Sequence, residues 1–256
     1  EDLALAKAAD AVDAAYSAYE DARGGGSTFN EVFGKTRNPW NTSLTPAGST
    51  GGGAAALAAG EIWLAHGSDH GGSLRRPATY TSVVGLRPSP GRVTRGTVNT
   101  LFSPLSVQGP MARNVPDLAL FLDTMAGFCP TDPLTLDAPA IPFVEAVRTE
   151  RPPRRVAYAE TIGQSPVDKE TRKICRAAMK TFEALGAAVE EIRIDIPDVE
   201  DTFLALRSQQ FVIDRELQLQ SHRDQIKPDI IWNTEIGLKQ SISDLAAAER
   251  SRTALY

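Results

Sequence analysis

Two serines stand in glycine-rich surroundings, Ser49 in "TPAGSTGGG" and Ser73 in "GSDHGGSLRRP", 24 positions apart. A serine hydroxyl becomes a nucleophile only when a base takes its proton, and that base can act through a second hydroxyl or be a lysine held neutral. Glycines on the N-terminal side of a serine leave backbone N–H groups unobstructed, the raw material of an oxyanion hole. The arrangement suits acyl transfer. One glycine nest would present the nucleophile and the other the relay.

The same residues suit other chemistries less well. Glycine-rich segments beside helices suggest a phosphate cradle, but the P-loop requires a Gly-Lys-Ser/Thr ending that neither nest has, and GxGxxG does not occur in them. His66 and His70 are four apart, a spacing that ligates metal on a helix. Gly67 and Asp69 between them favour a loop, no third ligand accompanies them, and His66 reads as a strand-end residue. A Ser-His-Asp hydrolase would draw its base from His66, His70 or His222, and the first two lie too close in sequence to approach Ser73 easily. No metal and no cofactor are expected.

The elements that must carry these loops follow from pattern. Glu1 to Arg23 is alanine-rich with apolar residues at helical spacing and ends at Gly24–Gly26, which predicts an amphipathic helix. Asn38 to Pro46 is loop, Gly52 to Ala59 a short helix of small side chains, "EIWLAHG" a strand, and Ser68 to Ser73 a glycine loop. Asn114 caps a helix with Pro116 in its first turn and Gly127 beyond its end, burying Leu118, Phe121, Leu122 and Met125. "RRVAYAE", "DKETRKICRAAMKTFEALG" and "AAVEEIRIDI" read as strand, helix and strand, a right-handed βαβ unit with Ile174, Ala178, Phe182 and Leu185 facing inward. After Pro197 the chain is mainly helical. The class is α/β.

Composition bounds the rest. With 42% hydrophobic and 23% charged residues, 256 residues suffice for a substantial core. A net charge of −5 argues against a nucleic-acid footprint, which needs a basic face. No apolar run reaches the roughly 18 residues of a membrane span, and no signal segment is visible at the start. Cys129 and Cys175 lack CxxC spacing and read as small core residues, so a reducing cytoplasm is the expected compartment.

Beyond these readings, "TPAGSTGGGAAALAAG", "GSDHGGSLRRPA", "VVGLRPSPGRV" and "GPMARNVPDLALFLDTMAG", with "GKTRNPWN" upstream, together resemble the amidase signature family. The match is dense from Phe33 to Gly127 and rests on general layout from Arg155 to Tyr256. The resemblance implies a single domain over 1–256, a mixed sheet between helices, with the N-terminal helix over 1–23, the signature core over 33–127 and a βαβ and helical remainder over 150–256. It implies hydrolysis of a carboxamide by a Ser–cis-Ser–Lys triad. Ser73 then resembles the nucleophile and Ser49 the bridging serine with a cis peptide after Gly48. The N–H groups of His70, Gly71 and Gly72 match the oxyanion donors, with that of Ser73 assisting. Thr50 keeps a hydroxyl where the family has a second serine. Asp69 and Arg75 are supports of the loop, or simply an ion pair that pins it.

The sequence departs from the family at Gly53 and Ala47, both small changes, and upstream, where the triad lysine is expected. Only Lys7 and Lys35 precede Ser49, and neither lies in the family's strand-end lysine motif. The expectation is an incomplete version of a longer amidase, with segments missing near 24–29 and after 256. The 256 residues alone would then be inactive, and the full chain would hold a further lysine between Arg23 and Phe33. The leading reading is a cytoplasmic amidase acting on a small-molecule amide, and a homodimer is compatible with it. Two alternatives stand beside it, the glutaminase subunit of a glutamine-dependent amidotransferase complex and a non-catalytic binding relative without the lysine.

Overall fold

In β3, Leu64–Asp69, alternate residues turn inward, so that Ala65, Gly67 and Asp69 are buried while Leu64 and His66 face out. This is the period of a half-buried strand. The computed structural model describes residues 28–30, 32–96, 98–149, 152–163, 166–196 and 199–256. The expected N-terminal helix, with Lys7 in it, lies outside the described residues. Contacts divide the chain into two compact units. One takes in Glu1–Arg148 and Gln210–Leu238, the other Thr149–Gln209 and Lys239–Tyr256.

The first unit is built on a three-stranded antiparallel sheet. β5, Val107–Ala112, lies in the centre, between β3 and the short β4, Val84–Gly85. His66 pairs with Pro110 inside β3, so it is a mid-strand residue rather than the strand-end residue expected. The strand also continues through Ser68 and Asp69, which shortens the glycine loop to the residues after Asp69. Helix α1, Gly51–Ala59, ends at Gly60 in the left-handed conformation that glycine favours, and Arg113 Nη1 donates to the carbonyls of Leu57 (3.2 Å) and Ile62 (2.6 Å) beside that end. Helix α2 spans Arg75–Thr81 and α3 Val115–Met125. As expected, Asn114 caps α3 by accepting from the Asp117 amide, with proline in the first turn, and Leu118 and Leu122 are buried. Ala54 and Leu57 of α1, Ala65 of β3, Leu74, Ala78 of α2 and Met111 of β5 form one buried cluster. The small side chains of α1 let it lie close on β3.

A two-residue hairpin, β1 (Phe29–Asn30) with β2 (Gly34–Lys35), precedes α1. Its strands are too short to show any alternation in the sequence. Its Phe29 ring stacks under the Lys227 ammonium at 4.5 Å, just before α7, Pro228–Lys239.

The second unit holds β6, Arg155–Tyr158, and β7, Ala188–Glu191, paired in parallel across α5, Lys169–Ala184, which is the expected βαβ order. Asp168 caps α5 by accepting from the Glu170 and Thr171 amides. The expected inward face is not buried, however. Ile174 is 62% and Leu185 56% exposed, Ala178 is exposed and Phe182 only half-buried. The sheet beneath is two strands wide among the described residues, too narrow to cover a helix of that length. Helices α4 (Phe143–Arg148), α6 (Val199–His222) and α8 (Ile242–Ala254) complete the chain. The predominance of helix after Pro197 is as read from the sequence. No helix among the described residues is long and apolar enough to cross a membrane.

Candidate active site

The loop bearing Ser73 connects the end of β3 to the start of α2. Its foundation is Asp69, the last residue of β3, whose side chain is fully buried. A carboxylate there must find donors, and it finds them in its own loop. Oδ1 accepts from the Gly72 amide at 2.9 Å, and Oδ2 accepts from the Leu74 amide at 3.3 Å and the Arg75 amide at 3.5 Å. Arg75 forks onto both oxygens, Nε to Oδ2 and Nη2 to Oδ1, each at 3.0 Å. Burial on its own would push the carboxyl up. The Arg75 hydrogen bond, the Gly72 amide, the Arg75 charge and the Leu74 amide outweigh it and hold the group down at about 2, against an ordinary 3.8. In return the Asp69 hydrogen bond raises Arg75.

The amides on both sides of Ser73 are therefore tied to one side chain. Leu74, next along, is fully buried in the core cluster, which anchors the chain just past the serine. Ser73 itself is half-buried. Gly72 adopts φ +98°, a conformation open to glycine and strained for other residues, which turns the chain toward α2.

Ser49 reaches this loop from the other side. The peptide between Gly48 and Ser49 is cis, as the resemblance implied. Ser49 and Thr50 are buried, and the Thr50 amide donates to the Ser73 carbonyl at 3.2 Å. The two glycine nests are thus hydrogen-bonded neighbours. Thr28 Oγ1 holds the Ser49 nest from behind, with the Ala47 carbonyl at 3.2 Å and the Ser49 carbonyl at 3.4 Å. Gly67 in β3 permits the approach. A Cβ there would run into the Thr50 side chain and come within 3.0 Å of Leu74 Cδ2. Gly67→Ala is expected to destabilise the protein by about 1–3 kcal/mol through overpacking. Thr50→Ala should relieve most of that penalty, so chemical denaturation of the two single variants and the double variant reads a negative coupling. Additive losses would show that the strand and the nest do not press on each other.

The expected oxyanion donors part company here. His70 follows directly on β3 and is half-buried. The Gly72 amide, expected among the donors, points to Asp69 instead. The amides of Gly71 and Ser73 donate to no acceptor among the described residues. Lys35, at the end of β2, is exposed.

Three residues of the site carry no signal of their role in the sequence: Thr28, Gly67 and Arg87. Arg87 stands in the motif "VVGLRPSPGRV", which bears the family resemblance without naming a partner for the arginine. Its Nη1 donates to the Asp69 main-chain carbonyl and, at 3.1 Å, to Asp69 Oδ1, while its Nη2 donates to the Leu105 carbonyl at 2.9 Å.

Comparison with known proteins matches residues 4–237 to the family model described as Amidase. Among curated proteins the chain is 44% identical over 171 residues to a glutamyl-tRNA(Gln) amidotransferase subunit of Shouchella clausii, covering 66% of this chain and 35% of that protein. It spans about a third of the length of such curated relatives. Among solved structures it superposes on a bacterial aryl acylamidase described as belonging to the amidase signature enzymes, at TM-score 0.79 and 29% identity over 89% of this chain and 49% of the other. It also superposes on the corresponding glutamyl-tRNA(Gln) amidotransferase subunit of Thermotoga maritima, at TM-score 0.64 and 30% identity over 91% and 49%.

Proposed function

The chain belongs to the amidase signature family, and from that premise we propose that it hydrolyses a carboxamide C–N bond to a carboxylate plus ammonia or an amine, through an acyl-enzyme on Ser73. One observation carries the reading. The Ser49–Thr50 turn is hydrogen-bonded to the Ser73 carbonyl, so a relay hydroxyl and a nucleophile hydroxyl belong to adjoining peptide segments. Ser73 Oγ attacks the amide carbon, and its proton passes through Ser49 toward a lysine base and on to the leaving nitrogen as the C–N bond breaks. Water then cleaves the resulting ester, releasing the carboxylate and returning the proton to Ser73. The amides of Gly71 and Ser73 supply the N–H groups for the oxyanion. Neither lysine upstream of Ser49 is assigned as the base, since Lys35 is exposed in β2 and Lys7 lies outside the described residues.

The test is a serine-directed fluorophosphonate applied to the intact protein, with peptide mapping of the adduct. A label on Ser73 is expected, because only an activated hydroxyl reacts. A protein that stays unlabelled would be a binding relative, and a label elsewhere would identify a different nucleophile. Ser49→Ala is expected to slow labelling about 10²–10⁴-fold, the usual worth of a positioned proton carrier, without silencing it, since water can partly replace a relay hydroxyl.

A second reading is favoured by the curated relatives named as glutamyl-tRNA(Gln) amidotransferase subunits. In it the same chemistry releases ammonia from glutamine inside a complex. Ammonia release from glutamine that depends on added partner subunits would select this reading. Release from simple amides without partners would select the first.

A further inference from the structure

We infer that Arg87 is a positioning residue for Ser73, acting through Asp69, an inference that rests on the reading of Ser73 as the nucleophile. The amides flanking Ser73, those of Gly72 and Leu74, are held by the two oxygens of a single carboxylate. The direction of the Ser73 hydroxyl and amide is therefore set by how the Asp69 side chain is turned. Arg75 cannot fix that turn independently. It opens α2 directly after the loop, six residues on from Asp69, its own amide is held by the same carboxylate, and its side chain is 55% exposed.

Arg87 comes from outside the loop, two residues after β4, and is 25% exposed. One of its nitrogens, Nη1, reaches both the main-chain carbonyl and the Oδ1 of Asp69. Rotation about the Asp69 Cα–Cβ bond would pull Oδ1 from a donor that the main-chain carbonyl keeps in place. The other nitrogen, Nη2, is fixed on the Leu105 carbonyl, just ahead of β5, the central strand. The planar guanidinium thus joins the nucleophile loop to the chain entering the middle of the sheet. An ammonium, a point donor without that fork, reproduces the charge but not the fixed angle between the two contacts. Where geometry near a reacting hydroxyl slips by about 1 Å, rates fall by about 10²-fold.

The experiment compares wild type, Arg87→Met and Arg87→Lys in the intact protein by the time course of fluorophosphonate labelling at Ser73, together with hydrogen exchange of the loop amides. A positioning role lowers the rate constant of Arg87→Met by about 10²-fold while the labelled fraction still reaches one site per chain. Arg87→Lys should recover part of the rate. A merely structural role lowers the final labelled fraction and leaves the rate constant of the labelled molecules at the wild-type value, and that result overturns the inference. Failure of wild type to label at all would count against Ser73 as nucleophile, and amide exchange then decides the inference separately. The Gly72 and Leu74 amides must exchange at least about tenfold faster in Arg87→Met while the Ala78 amide of α2 keeps its protection, and equal exchange at Gly72 and Leu74 overturns it. Should Arg87→Met fail to fold, the same two readouts on Arg87→Lys decide.

Discussion

Ser73→Ala leaves no acyl adduct and no fluorophosphonate label, while the protein keeps its fold and its thermal transition. The expected fall in turnover is about 10⁶-fold, the cost of removing a nucleophile from a serine hydrolase whose remaining groups stay in place. The fold should be spared because the hydroxyl makes no hydrogen bond to another of the described residues. Ser73 is tied by its carbonyl to the Thr50 amide, and its neighbours are tied by their amides to Asp69. Alanine keeps every one of these backbone groups. Incubation with an amide substrate followed by intact mass measurement separates the outcomes. An adduct persisting on the alanine variant would transfer the role of nucleophile to another residue, and a lost thermal transition would show that the hydroxyl braces the loop.

What the sequence disclosed about this site was chemical type and order. What it withheld was direction. Ser49 and Ser73 could be paired because glycines beside a serine leave backbone N–H groups unobstructed and a second hydroxyl can relay a proton. Asn114 could be placed at a helix start because its side chain acts on amides three residues away. Interactions that close within a few residues leave a local trace. Thr28 and Arg87 leave none, since their partners lie about 20 positions off and any threonine or arginine looks alike before the chain is folded. Gly67 was legible as a glycine, yet the need for it arises only when Thr50 is brought against β3. The Gly72 amide shows the same limit. A glycine before a serine offers an N–H, but where the N–H points is decided by Asp69. In the second unit the pattern of α5 was a true helical pattern, and it predicted the helix. It failed for Ile174, Ala178 and Leu185 because an amphipathic stripe says which face would be buried, and burial also requires an opposing layer.

Asp69→Asn is expected to lower stability at neutral pH by about 3 kcal/mol, and about 2 kcal/mol of that deficit should disappear by pH 2. Every partner of the Asp69 carboxylate among the described residues is a donor: the Gly72, Leu74 and Arg75 amides and the guanidinium groups of Arg75 and Arg87. Asparagine keeps one acceptor oxygen and turns its NH₂ toward donors, in a place closed to water, so at least one N–H group is left unsatisfied. Removing one member of a buried charge pair costs about 3–5 kcal/mol. The lower end applies because Arg75 is more than half exposed and water takes over part of its solvation. The sign of the pH dependence follows from the depressed carboxyl, about 2 in the folded protein against 3.8 ordinarily. A group held below its unfolded value stabilises the protein above that value, here by about 2 kcal/mol, and the contribution fades as pH falls through about 4 toward 2. At the bottom of that window folded Asp69 is about half protonated, and its protonated form presents one acceptor and one donor, as asparagine does. Urea unfolding of the two proteins across pH 7 to 2 should therefore give a gap that narrows below about pH 4 and is about 2 kcal/mol smaller at pH 2 than at neutral pH. A gap of constant size would mean that the Asp69 charge contributes nothing and that shape alone holds the Ser73 loop.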